Sequence, residues 1–241
     1  TRAAWRVGQN LARALIAKHL EEEGRYPENV AMFWMCNDMM WADGEGMGQL
    51  LYLLGVVPRW LGNGMVEGVD VIPLEELGRA RIDVTVRVSG LLRDSFPAAM
   101  HMLDAAVQAV AALDEPLESN FVRKHTQERL AAIEADDPDA WRSATFRLFS
   151  SEPGTYQAGV NLAVYASAWQ TEADLADIFL HWNGYAYGKD AFGVKRPRAL
   201  EASLSTVDVT YNKVVSDEHD LFNCCGYYGT HGGMTAAASH F

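Results

Sequence analysis

Val30-Ala-Met-Phe-Trp-Met35 is a continuous apolar run, with Pro27-Glu28-Asn29 before it and Cys36-Asn37-Asp38 after it. A strand buried on both faces reads this way, without the alternation of a strand that shows one face to water. Ahead of it, Val7, Leu11, Leu15, Ile16 and Leu20 recur at helical spacing between Trp5 and Glu23, and Gly24 stops the pattern. Behind it a helix is expected over 46–54, closed by Gly55, then extended pieces at Arg59-Trp60 and Val69 to Pro73. Ile82 to Ser89 reads as a second core strand rich in β-branched residues. Asp94-Ser-Phe-Pro97 supplies the cap and early proline of a helix running from Ala98 to Leu113. Strand, helix, strand, helix is the signature of a parallel sheet.

Farther along, a polar helical stretch over 117–135 breaks at Asp136-Asp137-Pro138-Asp139, and Thr145 to Phe149 is a third strand candidate. Helices are expected over 158–168, 172–182 and 198–213, with a last one from Gly233 onward. The fold expected is therefore α/β: a largely parallel, Rossmann-like sheet with helices on both faces and additional helices in the C-terminal half. Residues 1–115 form a βαβ-type subdomain, and 116–241 continue it with a helical end, packed as one unit. The chain opens on a helix without an initiator Met, as expected of a piece excised from something longer.

A formal charge of -12 argues against a general nucleic-acid or anionic-membrane binder, since either needs a basic surface; metal cations or a basic partner face suit it better. Three cysteines, two of them the adjacent Cys224 and Cys225, are too few for a disulfide framework, and a reducing cytoplasm is the simplest reading. No apolar run reaches the roughly 18 residues of a membrane span.

Ligands of open parallel sheets gather at the carboxyl ends of the strands. The loops there carry Asn37, Asp38 and Asp43-Gly-Glu-Gly46, then Ser89-Gly90 with Arg93-Asp94, then Ser150, Ser151, Glu152 and Gly154-Thr-Tyr156. Glu45 could ligate a metal or act as a base, or simply complement a helix dipole. Arg93 could clamp a propionate or phosphate bidentately, or neutralise Asp94 acting as an N-cap. On a helix, Phe121 and His125 share one face and Arg123 another, which suits either a cleft or a solvated surface. Gly44-Glu-Gly46-Met-Gly48 lacks the Lys-Ser/Thr of a phosphate-binding loop. His219, His231, His240 and the cysteine pair invite a zinc reading, but adjacent cysteines do not have the usual ligand spacing.

Read together, the motifs resemble the large-subunit family of ATP-dependent tetrapyrrole metal chelatases. Gly24-Arg-Tyr-Pro-Glu-Asn29, Asn37, Gly44-Glu-Gly46 and Leu54-Gly-Val56 carry one stretch of the resemblance. Arg81-Ile-Asp83, Ser89-Gly90-Leu-Leu-Arg-Asp94 and Phe96-Pro97 carry the next. Asp114-Glu-Pro116, Asn120-Phe-Val-Arg-Lys-His125, Phe149-Ser150, Gly154-Thr-Tyr156, Asn161 and Ser205-Thr-Val-Asp208 complete it over nearly the whole chain. The end, Glu218-His-Asp220, Tyr227-Tyr228 and Gly232-Gly-Met234-Thr-Ala-Ala237, is similar to the cobalt-inserting branch more than to the magnesium-inserting one. Cys224-Cys225-Gly226 stands where that branch has more acidic residues.

The resemblance implies a fragment of a much larger subunit that binds the macrocycle and a divalent metal substrate, Co2+ favoured and Mg2+ the alternative. ATP would be hydrolysed by AAA+ ATPase and adaptor partners, and the isolated piece would not turn over. Glu45 and His125 are the expected catalytic groups and Glu118 and His231 the expected metal ligands. Asn37, Arg93, Asn120, Arg123, Lys124 and Tyr156 are the expected contacts to the tetrapyrrole.

Overall fold

The computed structural model describes residues 1–134, 136–216, 224 and 226–241. Helix α1 (Arg2–Glu23), capped by Thr1 and ended by left-handed Gly24, leads into strand β1 (Asn29–Trp34), every residue of which is buried. Short α2 (Cys36–Trp41) and α3 (Glu45–Leu54) follow. Then come β2 (Val56–Trp60) and β3 (Val66–Val71), which pair with each other in a separate antiparallel ribbon. After the single turn α4 (Leu74–Leu77), the chain enters β4 (Asp83–Val88), also wholly buried, then α5 (Gly90–Ser95) and α6 (Pro97–Ala111).

The second half adds α7 (Phe121–Ala131), α8 (Ala140–Thr145), β5 (Leu148–Ser150), α9 (Val160–Tyr165) and α10 (Glu172–Asn183). A hairpin of β6 (Tyr185–Gly188) and β7 (Ala191–Lys195) follows, then α11 (Pro197–Leu204) and β8 (Val209–Asn212). A π-helical turn over Tyr227–Gly232 continues into α12 (Gly233–His240).

The six-stranded sheet runs β7-β6-β5-β4-β1-β8. Its centre is parallel, β5-β4-β1-β8, and its β6-β7 edge antiparallel. One face carries Val30, Met32, Val84 and Val86 against Leu50, Leu54, Leu103 and Val107 of α3 and α6. The other carries Ala31, Phe33 and Phe149 against Phe179, Leu200 and Met234 of α10, α11 and α12. Helices thus cover both faces of a mostly parallel sheet, as the apolar runs of β1 and β4 demand.

Five assignments differ from the sequence reading. The stretch 198–213 is not one helix: α11 stops at Leu204 and Val209–Asn212 becomes β8, because Asp208 is anchored by the Arg25 guanidinium and the Glu28 N–H, and Val30 to Phe33 offer a free parallel edge. Asp94 is not a helix cap; Ser89 caps α5, and Asp94 lies in its last turn. Thr145 closes α8 instead of opening a strand, and α7 begins only after its cap Asn120, not at 117. The β6-β7 hairpin lies where no strand was expected.

Candidate functional site

At the carboxyl edge, the ends of β1, β4, β5 and β8 bring the polar loops together. Asp38, buried at the start of α2, accepts hydrogen bonds from Trp34 Nε1 (3.0 Å) and from the N–H groups of Gly46 (2.7 Å) and Met47 (3.2 Å). These ties fix the first turn of α3, and with it Glu45. Lys213, just past β8, places Nζ 3.0 Å from Asp38 Oδ1 and 2.8 Å from Glu45 Oε2. Ser89 Oγ accepts from the Cys36 N–H at 3.1 Å and thereby locks the two central strand ends side by side.

Next to this lies a second constellation. Arg93, fully buried, donates from Nε and a terminal nitrogen to both oxygens of Asp94, at 2.7 and 3.0 Å, and from its other terminal nitrogen to the carbonyls of Ser151 and Glu152. Exposed Tyr156 donates its hydroxyl to Asp94 Oδ2 at 2.8 Å. The Arg93 hydrogen bond, joined by that of Tyr156 and only partly opposed by burial, holds the Asp94 carboxyl below the usual carboxylate range. Gly90 permits this arrangement: a Cβ there would stand 2.6 Å from the Tyr156 ring and 2.9 Å from the Thr155 carbonyl. Met40 and Trp41 at the end of α2 are each 58 % exposed, and Leu91 on α5, which packs against α2, is 52 % exposed.

Asn120, Arg123, Lys124 and His125 do not join this edge. His125 is buried on α7 at the amino ends of the strands, Nδ1 2.9 Å from Asp83 Oδ2 and Nε2 3.2 Å from Glu28 Oε2. Asp83 there also accepts from Arg147 Nε at 2.8 and 3.0 Å. Burial alone would raise the Asp83 carboxyl, but Arg147 and His125 outweigh it and leave it well below the usual range. Lys124 pairs with Glu28 at 2.6 Å, and Arg123 pairs with Asp114 and donates to the Glu115 carbonyl. Asn120 caps α7 and binds the Val110 carbonyl and Glu115. From Asp83 to Val88 the strand runs about 16 Å at roughly 3.3 Å per residue, so this network and the carboxyl edge lie at opposite ends of the sheet.

Arg93 corrects the bidentate-clamp expectation directly, since its guanidinium is already occupied by Asp94 and two carbonyls and offers nothing to an incoming carboxylate. Glu118 sits in an exposed turn before α7. His231 lies in the π-helical turn, half-buried, with Nδ1 lacking a hydrogen-bond partner, and burial lowers its pKa, which favours the neutral ring. Asn37 is half-buried on α2 beside Asp38. Among the described residues no group of three His, Cys, Asp or Glu side chains is arranged to hold a metal ion. Glu218, His219, Asp220 and Cys225 of the branch motif and the zinc reading lie outside the described residues. Lys213 was hidden by the helical reading of 198–213; a parallel strand at 209–212 would have placed it beside Asp38.

No helix among the described residues is long and apolar enough to cross a membrane. The family model for CobN/Magnesium Chelatase matches residues 1–241. An uncharacterized protein of Methanocaldococcus jannaschii is 60 % identical over 238 residues, covering 99 % of this chain and 19 % of its own length. The aerobic cobaltochelatase subunit CobN of Pseudomonas aeruginosa is 38 % identical over 98 % of this chain and 19 % of its own. The solved catalytic subunit of cobaltochelatase from Mycobacterium tuberculosis superposes with a TM-score of 0.94 at 38 % identity, over 100 % of this chain and 20 % of that one. The chain thus spans about a fifth of the length of the relatives it matches. With a family model matched end to end and a near-identical backbone in a solved relative, the chain belongs to the CobN/magnesium chelatase family of metal-chelatase large subunits.

Proposed function

We propose that this chain forms part of the tetrapyrrole- and metal-binding body of a large chelatase subunit that inserts cobalt into hydrogenobyrinic acid a,c-diamide in the cytoplasm. ATP hydrolysis belongs to separate AAA+ and adaptor subunits. The observation that carries the reading is the carboxyl edge itself, where the helices that carry Asp38, Glu45 and Asp94 also expose Met40, Trp41 and Leu91. A flat macrocycle needs apolar area to lie on, and its metal needs oxygen or nitrogen ligands on the way in. Two pyrrole protons must also leave. The tail motif and the match to a cobaltochelatase structure support cobalt.

In this reading Asp94, kept ionised by Arg93, serves as a cation ligand more than as a proton acceptor, and Tyr156 orients it. Glu45 handles metal or protons, and Asn37 borders the macrocycle. Arg93 is a positioning residue. Asn120, Arg123, Lys124 and His125 hold the amino edge together, and His231 offers a neutral nitrogen from the π-helical turn. The test is metal insertion by the intact subunit with its ATPase and adaptor partners. Asp94→Asn should slow turnover about a hundredfold, the scale of one lost acid–base or ligand group, with Tyr156→Phe slowing it less. Wild-type turnover in Asp94→Asn would sink the assignment.

A docking role for the ATPase partner is the second reading. Leu162, Val164, Tyr165 and Trp169, all exposed on or just after α9, favour it. Replacing Tyr165 and Trp169 by Ser should abolish capture of the ATPase in that case and leave macrocycle binding intact.

A further inference from the structure

Gln49 is 1 % exposed, yet its amide oxygen has no hydrogen-bond partner. Buried polar groups are nearly always paired, so an orphaned amide oxygen points to something that completes it. Gln49 stands one turn after Glu45 on α3, and the two side chains share a face. Facing them are Tyr211 of β8 and Lys213, just past its end. Burial raises the Tyr211 phenol; a hydrogen bond from the Gln49 amide N–H draws it down, and the charges of Asp38 and Glu45 push it up again, which places all four groups in one neighbourhood. The Lys213 ammonium, on a side chain only 10 % exposed, bridges the two carboxylates at 3.0 and 2.8 Å.

An ammonium is a compact point charge without coordination demands. Here it occupies the place where two carboxylates converge, with the unpartnered amide oxygen of Gln49 one helical turn from Glu45, a donor set suited to a divalent cation. We propose that Asp38, Glu45 and Gln49 form a loading site for a divalent metal ion, with Lys213 as the resident counter-ion that the metal displaces. The proposal rests on the chelatase reading for the identity of the metal and deepens it. Two carboxylates, and a tethered cation that competes for them, bind a metal weakly, which suits an ion that must be handed on. When the metal moves to the macrocycle, Lys213 returns and the carboxylates are again neutralised; no covalent bond changes.

The test is calorimetric titration of the intact subunit with Co2+ alone, without macrocycle, ATP or partners. Lys213→Met removes the competitor and should tighten Co2+ binding at least about tenfold, a modest share of the Coulomb energy of such a pair. Glu45→Gln added to it should erase the gain. Unchanged affinity in Lys213→Met, or a gain that survives Glu45→Gln, overturns the site. Glu45→Gln alone, at a part-exposed position, covers the case in which Lys213→Met does not fold: it should weaken Co2+ binding several-fold, and no change overturns the proposal equally. Macrocycle binding by the wild-type subunit, followed by tryptophan quenching, is the separate control. Its absence would count against the chelatase reading and not against the metal site.

Discussion

Neutralising Asp83 would leave the buried Arg147 guanidinium without a counter-charge. Asp83→Asn should therefore cost about 3–5 kcal/mol in urea unfolding of the chain, the range for breaking a buried pair from one side; a loss below about 1 kcal/mol would contradict that account. The same carboxylate sets an acid limit. Its folded pKa lies below its unfolded value, so its stabilisation is complete above the unfolded value of about 4 and drains away as pH falls toward the folded one. Glu28, Asp94 and Asp208 are depressed too and act with the same sign. The urea midpoint should be flat above about pH 5 and fall steeply below about pH 4, and equal stability at pH 3 and pH 7 would rule this out. At this scale the sequence offered the right residue types without their partners. Arg93 and Asp94 were legible as a pair, but that the arginine would be buried and the aspartate left facing out depends on the loop 151–156 folding over it.

The contact between α1 and α3 is closest at Gly8, where a Cβ would sit 2.5 Å from both the Gln49 nitrogen and the Glu45 carbonyl oxygen. Gly8→Ala must push the helices apart and should cost about 1–3 kcal/mol, as overpacking does. A thermal melt checks it, and a neutral substitution would mean that α1 is loosely seated. Because Gly8 abuts the backbone of the two residues that frame the proposed metal site, the same variant should also weaken Co2+ binding by the intact subunit. Elements with a single unbroken pattern, α1, β1, α3, β4 and α6, were legible from periodicity and stop signals. Those missed were short pieces, among them α4, α8 and three strands. Val209–Asn212 and the β6-β7 hairpin are strands only because a neighbouring strand offers its backbone, and local propensity carries little of that.

For the whole molecule, the sheet draws β1 and β4 from the first half and β5 to β8 from the second, and β8 closes against β1. The carboxyl edge is therefore assembled from both halves of the chain, and Lys213 meets Asp38 across 175 residues. Such long-range meetings are invisible to any local reading, which is why the loops could be picked out as candidates but their grouping could not. Whether this edge receives a tetrapyrrole is decided by fluorescence titration of the intact subunit with hydrogenobyrinic acid a,c-diamide and, separately, protoporphyrin IX, comparing wild type with Trp41→Phe. Saturable quenching by the corrinoid precursor, with affinity or amplitude reduced in Trp41→Phe and little response to the porphyrin, is the predicted result. Identical quenching curves for the two proteins would place the macrocycle away from this edge and contradict the account.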